Sequence, residues 1–234
     1  MRPFLRILAF AVAAIVLLVL GVVIATWAPD RPVDELKARW APAPSQFLDV
    51  AGMQVHLRDE GVRDDPEPLV LLHGTSSSLH TWDGWVAALA AERRVIRVDL
   101  PGFGLTGPTP DGDYTVASYV RFMGELLDRL GIERCVLAGN SFGGQVAREA
   151  ALALSPWRVV KFVLEDAAGY PLEPESMPIA FHVAQIPLLR DLMQVTLPRG
   201  MVESSLRNVY GDPSRVAPAL VDRYYDLTTR AGNR

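Results

Sequence analysis

The sequence predicts an α/β fold, a mostly parallel sheet with helices on both faces, together with an N-terminal transmembrane helix and a helical cap. Three observations lead to this prediction. Between residues 69 and 164, apolar runs of strand length alternate with segments of helical periodicity. A long stretch without charge precedes them near the amino terminus. Proline-interrupted helical patterns follow them beyond Pro171, and no strand pattern interrupts these.

Composition limits the classes of function. The chain has 234 residues and a net charge of −4. With 50% of its residues hydrophobic, a chain of this length can bury one sizeable core. No basic run is present, so nucleic acid is not an expected partner. The single cysteine, Cys135, cannot form an internal disulfide and begins an apolar strand, which favours a packing role.

The predicted organisation has four parts. Residues 1–28 form a membrane anchor, residues 29–46 a proline-rich tether, residues 47–170 the α/β core, and residues 171–234 a helical cap or lid. In this order the catalytic groups are expected at the carboxyl ends of the parallel strands, because that edge of such a sheet holds the ligand crevice.

The anchor prediction comes from the segment Ile7 to Pro29, which contains no charged residue. At about 1.5 Å per residue it reaches roughly 30 Å, the thickness of a bilayer core. A cleaved signal peptide is the alternative, but the apolar run is longer than is usual and no small-x-small site follows it. With Arg2 and Arg6 on the cytoplasmic side, the protein is expected to be single-pass, with its catalytic domain on the non-cytoplasmic side.

The stretch from Val136 to Gly144 is typical of a nucleophile elbow. An apolar strand leads into a sharp turn that carries Ser141, and small residues open a helix. Gly139 and Gly143 flank the serine because the turn leaves no room for side chains there. The alternative is a glycine-rich turn with a bystander serine.

A second glycine pattern does not indicate nucleotide binding. Residues 102–107 match G-x-G-x-x-G after a strand. The dinucleotide fingerprint must open a helix, whereas Pro108 and Pro110 prolong this segment as a loop. A dinucleotide cofactor is therefore excluded.

The elbow, the sequence His73-Gly74-Thr75 and the sequence Asp99-Leu100-Pro101-Gly102-Phe103-Gly104 together resemble the α/β-hydrolase fold family. The resemblance implies that Ser141 is the nucleophile and that the backbone N–H groups of Phe142 and Thr75 form the oxyanion hole. It implies a structural role for His73, Gly74 and Asp99, a solvated strand-end carboxylate being the alternative for Asp99. It also implies a small-molecule, ester-like substrate, with no metal and no organic cofactor.

The chain departs from the family's order of serine, acid and histidine. The strands that carry the acid and the histidine are missing, so we expect a chain truncated on the carboxyl side of its core, a fragment without a complete triad. Of the four histidines, only His182 follows the serine, and it lies in the cap. Glu165 or Asp166 is a further candidate for the acid, although a place in a strand-end loop fits both better.

Two functions follow from these observations. The first is a membrane-anchored serine hydrolase that forms an acyl-serine intermediate on an ester-like or related carbonyl substrate. The second is a membrane-tethered binding protein that keeps the pocket without the triad. Labelling by a fluorophosphonate probe that depends on Ser141 separates the two.

Overall fold

A computed structural model of the chain describes residues 2–154, 157–171, 182–183 and 185–234. They divide into two compact units. The core unit comprises Arg31–Glu173 and Asp226–Arg234, and the anchor-cap unit comprises Met1–Asp30 and Pro174–Tyr225. The last nine residues, which the sequence pattern places with the cap, thus group with the core.

The core unit alternates strands and helices in the predicted order. Its elements are α2 (Val33–Trp40), β1 (Gln46–Val50), β2 (Met53–Gly61), β3 (Leu69–Leu72), α3 (Asp83–Leu89), β4 (Arg94–Val98), α4 (Val116–Arg129), β5 (Cys135–Asn140), α5 (Phe142–Ala153) and β6 (Val159–Glu165). A 3₁₀ turn, Leu79–Trp82, precedes α3. The predicted proline-rich tether, residues 29–46, contains the eight-residue helix α2.

The six strands form one sheet in the order β1-β2-β4-β3-β5-β6. The strands β1 and β2 form an antiparallel hairpin, and β2 also lies antiparallel to β4. The strands β4, β3, β5 and β6 are parallel to one another. The mostly parallel sheet is therefore confirmed.

The register of the central strands positions the site. Leu72, the last residue of β3, pairs with Gly139 of β5, and Asn140 of β5 pairs with Glu165 of β6. The segments that follow these strands consequently leave the sheet side by side at its carboxyl edge. The loop after β3 and the elbow after β5 are neighbours for this reason.

The helix α4 illustrates how the core is packed. The Thr115 hydroxyl caps its amino end by accepting a hydrogen bond from the Ser118 N–H. Apolar residues recur at helical spacing and are all buried against the sheet: Tyr119, Phe122, Met123, Leu126 and Leu127. The helix ends where Gly131 adopts a φ of +65°.

The strand β6 pairs with β5 on one side only, within the part of the chain that is described. Its residues are also poorly covered, since Phe162 is 47% exposed and Val163 is 41% exposed. These two side chains lie on opposite faces of the strand. Among the described residues, β6 therefore has one edge without a partner strand and partly exposed side chains on both faces.

The anchor-cap unit contains α1 (Arg2–Ala25), α6 (Pro187–Met193), α7 (Arg199–Val209), a 3₁₀ turn at Pro213–Arg215 and most of α8 (Pro218–Thr228). The segment Phe4–Ala25 of α1 is the one helix among the described residues that is long and apolar enough to cross a membrane, a test that signal sequences also pass. A small core of Leu206, Val216 and Val221 holds the cap helices together. Of the helical pattern predicted at 179–184, only His182 and Val183 are among the described residues.

Candidate active site

Ser141 occupies a strained turn between β5 and α5. Its φ is +52° and its ψ is −118°, a combination that L-residues rarely adopt and that marks functional turns. The surrounding backbone enforces it. The Ser141 N–H donates to the Glu165 carbonyl at 2.9 Å, and the Ser141 carbonyl accepts from the N–H groups of Gly144 at 3.0 Å and Ala168 at 2.9 Å.

Two glycines make this turn sterically feasible. A Cβ on Gly139 would lie 2.2 Å from the carbonyl oxygen of Gly143. A Cβ on Gly143 would lie 2.3 Å from the carbonyl oxygen of Leu72 in β3. Both contacts are with backbone atoms, which cannot rotate away as a side chain can. The predicted pair of flanking glycines is thus explained by close approach of backbone to backbone.

The loop after β3 passes directly against the elbow. A Cβ on Gly74 would lie 3.0 Å from the Cβ of Ser141, so the backbone of residues 73–75 runs beside the serine. Thr75 is exposed at the start of a turn, and Phe142 is the first residue of α5. Within the described residues, the N–H groups of Thr75 and Phe142 have no internal acceptor. Both amides are free to bind a ligand.

Phe142 is held by an aromatic cluster. Its ring packs edge-to-face on Tyr119, with 4.9 Å between centroids, and lies 6.3 Å from Phe103. The Tyr119 hydroxyl donates to the Pro101 carbonyl at 2.9 Å. These contacts join the start of α5 to the loop after β4. They therefore fix the position of the Phe142 N–H.

His73 is fully buried and both ring nitrogens are engaged. Nδ1 lies 2.8 Å from the Gly74 carbonyl, and Nε2 lies 3.0 Å from the Leu100 nitrogen. Because the Leu100 N–H is a donor, Nε2 must be the acceptor and Nδ1 carries the proton. Burial lowers the pKa of His73, which favours this neutral form. His73 therefore ties the loop after β3 to the loop after β4.

Asp99 is also fully buried, which excludes the solvated alternative. Its Oδ1 accepts from the Leu79 N–H at 2.7 Å, and its Oδ2 accepts from the Leu105 N–H at 2.8 Å. The same Oδ2 lies 2.7 Å from His56 Nδ1. Burial raises the pKa of Asp99, but its attraction to His56 and the hydrogen bond between them outweigh this effect and hold the pKa well below its usual range.

The contacts of His56 were not predicted from the sequence. Its Nε2 lies 2.9 Å from the Ser45 hydroxyl, which also accepts from the Arg58 Nε at 2.9 Å. The Ser45 hydroxyl, the His56 imidazole and the Asp99 carboxylate therefore form a row of hydrogen-bonded groups from the tether to the loop after β4. The only sequence signal was a histidine in a strand of otherwise alternating pattern. Nothing in that pattern indicated which carboxylate it would meet.

No described histidine donates to or accepts from the Ser141 hydroxyl. The ring nitrogens of His56 and His73 have the partners given above, and those of His80 contact the Ser78 hydroxyl at 3.1 Å and the Trp40 carbonyl at 2.9 Å. His182 is an exposed residue of the anchor-cap unit. Within the described part of the core unit, Ser141 is thus without a base.

The two acidic candidates at the end of β6 are exposed. Glu165 contributes its backbone carbonyl to the elbow, and Asp166 has a φ of +46° in the turn that follows. Neither carboxylate is paired with a histidine among the residues described. Their positions fit a strand-end loop. In the same described ranges, no group of three or more His, Cys, Asp and Glu side chains is arranged to hold a metal ion.

A small cavity of about 40 Å³ lies beside the loop after β3. It is lined by Ser76, Ser77, Gly102, Phe103, Gly104, Leu227, Thr228 and Asn233. The Asn233 amide donates to the carbonyls of Gly104 and Leu227 at 3.0 and 2.9 Å. The last residues of the chain are thereby fixed against the loop after β4.

Comparisons with known proteins agree with this geometry. A family model for the alpha/beta hydrolase fold matches residues 67–201. A 2-hydroxy-6-oxo-2,4-heptadienoate hydrolase of Pseudomonas putida is 36% identical over 125 residues, which are 52% of this chain and 44% of that protein.

Two solved structures are also similar. A meta-cleavage product hydrolase from Pseudomonas fluorescens has a TM-score of 0.65 at 27% identity, covering 81% of this chain and 65% of that one. A membrane phospholipase A, described as a bacterial virulence factor, has a TM-score of 0.62 at 25% identity, covering 100% of this chain and 73% of that one.

The matched family model covers more than half of the chain and includes the elbow, the loop after β3 and the loop after β4. The chain spans a little under half the length of the first curated relatives it matches. Fold, motifs and matched model agree, and the chain belongs to the α/β-hydrolase fold family.

Proposed function

We propose that the protein is a membrane-anchored serine hydrolase that cleaves an ester-like or related carbonyl substrate through an acyl-serine intermediate on Ser141. The observation that carries this proposal is the strained backbone of Ser141, with a φ of +52°, between two glycines that admit no side chain. A turn of this kind presents the hydroxyl to a substrate. The energetic cost of the strained backbone persists in proteins where the serine has a function.

In the proposed reaction, the Ser141 Oγ attacks the substrate carbonyl carbon while its proton passes to a base. The carbonyl oxygen becomes an oxyanion and accepts hydrogen bonds from the N–H groups of Phe142 and Thr75. Collapse of the tetrahedral intermediate breaks the bond to the leaving group, which takes the proton from the base. Water then attacks the acyl-serine, releases the acid product and restores the hydroxyl.

His73 and Gly74 act in this proposal by positioning the Thr75 amide. The hydrogen bonds of His73 to residues 74 and 100 fix the loop, and the absence of a side chain at Gly74 lets the loop approach the serine. Preorganised donors of this kind are worth more than donors that must reorient, because no reorganisation is needed as the charge develops. Asp99 supports the same loop through the Leu79 N–H.

We further propose that the acid and the histidine of the triad come from residues that follow Arg234 in the complete protein. Support comes from the share of the relatives that this chain spans, 44% for a curated relative and 65% for a solved one. The order of serine, acid and histidine places both missing groups after the cap.

For the anchor, the apolar segment Phe4–Ala25 has 22 residues, or about 33 Å of helix, which suffices for a bilayer core. The proposed anchor is uncleaved and single-pass, with the core unit on the non-cytoplasmic side. Protease added to intact cells or spheroplasts should then cut the core unit. Protection of the core unit in both preparations would overturn this orientation.

A fluorophosphonate probe tests the catalytic proposal. The coding sequence downstream of the Arg234 codon is read first, and the complete protein is labelled in its membrane. We expect labelling that is lost in Ser141→Ala and kept in Ser204→Ala, a control at an exposed helical serine. No labelling of the complete protein would overturn the proposal.

The second candidate is a membrane-tethered binding protein without catalysis. The observation that favours it is that no described histidine contacts Ser141. It predicts a reading frame that stops at Arg234 and a Ser141 that does not react with the probe. A frame that continues through strands carrying an acid and a histidine contradicts it.

A further inference from the structure

Within the anchor-cap unit, the cap is hydrogen-bonded to the chain directly after the apolar helix. Trp27 and Thr196 form an antiparallel bridge. The Leu197 N–H donates to the Thr26 carbonyl at 3.0 Å, and the Ala28 N–H donates to the Val195 carbonyl at 3.0 Å. Leu197 and Val195 of the cap are thus paired with residues 26 and 28, which follow the end of α1 by one and three positions.

This pairing fixes the depth of the cap segment relative to the helix. Paired strands lie about 5 Å apart, so residues 195–197 are at the same level as residues 26–28. If α1 crosses the bilayer, its apolar segment ends at Ala25, and the next residues lie in the interfacial layer. Val195 then lies in that layer too, and α6, which ends two residues earlier, lies next to it.

Large apolar side chains are exposed at residue 27, at residue 195 and on the adjoining α6 segment, beside the exposed polar residues Arg190, Asp191 and Gln194. Trp27 is 55% exposed, Ile186 is 50%, Leu189 is 36% and Val195 is 37%. By contrast, Thr196 and Leu197, on the paired segment, are buried. We call the four exposed apolar residues the juxtamembrane patch. Tryptophan is enriched at membrane interfaces, and exposed apolar side chains beside it are the surface that an interfacial segment presents to lipid.

We propose that the juxtamembrane patch is inserted in the interfacial layer of the lipid bilayer. The cap, like α1, is then bound to the membrane. This inference rests on the membrane anchor of the proposed function and extends it to α6. The occupant is lipid because the patch continues the surface of the apolar segment Phe4–Ala25, whose large apolar side chains are exposed. A soluble partner would have to bind where lipid headgroups already lie.

The test uses the full chain reconstituted in vesicles of phosphatidylcholine and phosphatidylglycerol. An environment-sensitive fluorophore is attached to a single introduced cysteine in Ile186→Cys, Leu189→Cys or Val195→Cys. The native Cys135 is fully buried, and the unmodified protein is carried through the labelling to verify that it takes up no dye. The control is Val209→Cys, at an apolar residue that is 63% exposed and ends α7, at the far end of that helix from the paired segment.

We expect a blue-shifted emission at the three patch positions, larger than at position 209, and quenching by nitroxide-labelled lipid of at least twofold relative to position 209. A shift or quenching no larger than at position 209 would overturn the inference. A blue shift without quenching by lipid would also overturn it, since it would indicate burial against another protein, such as a second copy of this chain.

A label at Ile15→Cys, in the middle of α1, separates this inference from the proposed anchor. A label at position 15 that lipid does not quench means that the anchor itself is wrong, and the inference falls with it. Quenching at position 15 without quenching at the patch leaves the anchor standing and overturns the inference alone.

Discussion

The Asp99 Oδ2 lies 2.7 Å from His56 Nδ1, and both side chains have no exposed surface. The pair joins the middle of the antiparallel strand β2 to the end of the parallel strand β4. Through the Leu79 and Leu105 N–H groups it also fixes the loops that flank the elbow. The loops around Ser141 therefore depend on a carboxylate that does not touch the serine.

The first prediction concerns that carboxylate. In the folded protein, the two carboxylate oxygens of Asp99 accept hydrogen bonds from the Leu79 and Leu105 N–H groups. Asp99→Asn replaces one of these oxygens with an NH₂ group, which is itself a donor and would face an N–H group. Breaking a buried pair by removing one charge costs about 3 kcal/mol or more. We expect a clear loss of stability in thermal unfolding, and little change for Asp64→Asn, at an exposed carboxylate. Equal midpoints for the two variants would contradict this account.

The second prediction is an acid dependence with a defined sign. The pKa of Asp99 is depressed in the folded protein, so the ionised carboxylate stabilises the fold. This stabilisation is complete above the ordinary carboxyl pKa of about 4 and is lost as the pH falls below it towards the depressed value. The difference in unfolding midpoint between wild type and Asp99→Asn should shrink between about pH 5 and pH 2. A difference that is constant over this range would show that the charge is not responsible.

The third prediction tests the close approach in the elbow. Gly139→Ala puts a Cβ 2.2 Å from the Gly143 carbonyl oxygen, and the backbone must move apart. We expect a large loss of folded protein and no labelling by a fluorophosphonate. The control is Gly84→Ala in α3, where a Cβ meets nothing within 4 Å. There alanine should stabilise the helix by about 0.5–1 kcal/mol. Similar yields of the two variants would speak against a sterically closed elbow.

The fourth prediction concerns the single thiol. Burial raises the pKa of Cys135 to about 11, so the thiolate needed for reaction is scarce at neutral pH. We expect no reaction with a thiol reagent at pH 8 in the folded protein and complete reaction in denaturant. Leu152→Cys, at a residue that is 74% exposed, should react at once. Rapid reaction of the folded wild type would place Cys135 at an accessible surface.

The sheet and the elbow could be predicted from the sequence because each depends on a local pattern. Apolar runs define the strands, and the sequence around Ser141 contains the glycines that its turn requires. The partner of Asp99 could not be predicted, because His56 is 43 positions away and its contact is made by tertiary packing. For the same reason nothing in the sequence placed Ser45 beside His56, or Trp27 beside Thr196.

The open edge of β6 has a geometric consequence for whatever pairs with it. In a parallel sheet every strand ends at the same edge, and β6 ends at Glu165, whose carbonyl accepts the Ser141 N–H at 2.9 Å. A strand that adds to β6 in parallel therefore delivers the residue after its own end to the level of the nucleophile. The edge of β6 that has no partner among the described residues thus determines where an added strand, from this chain or from another, presents its next side chain.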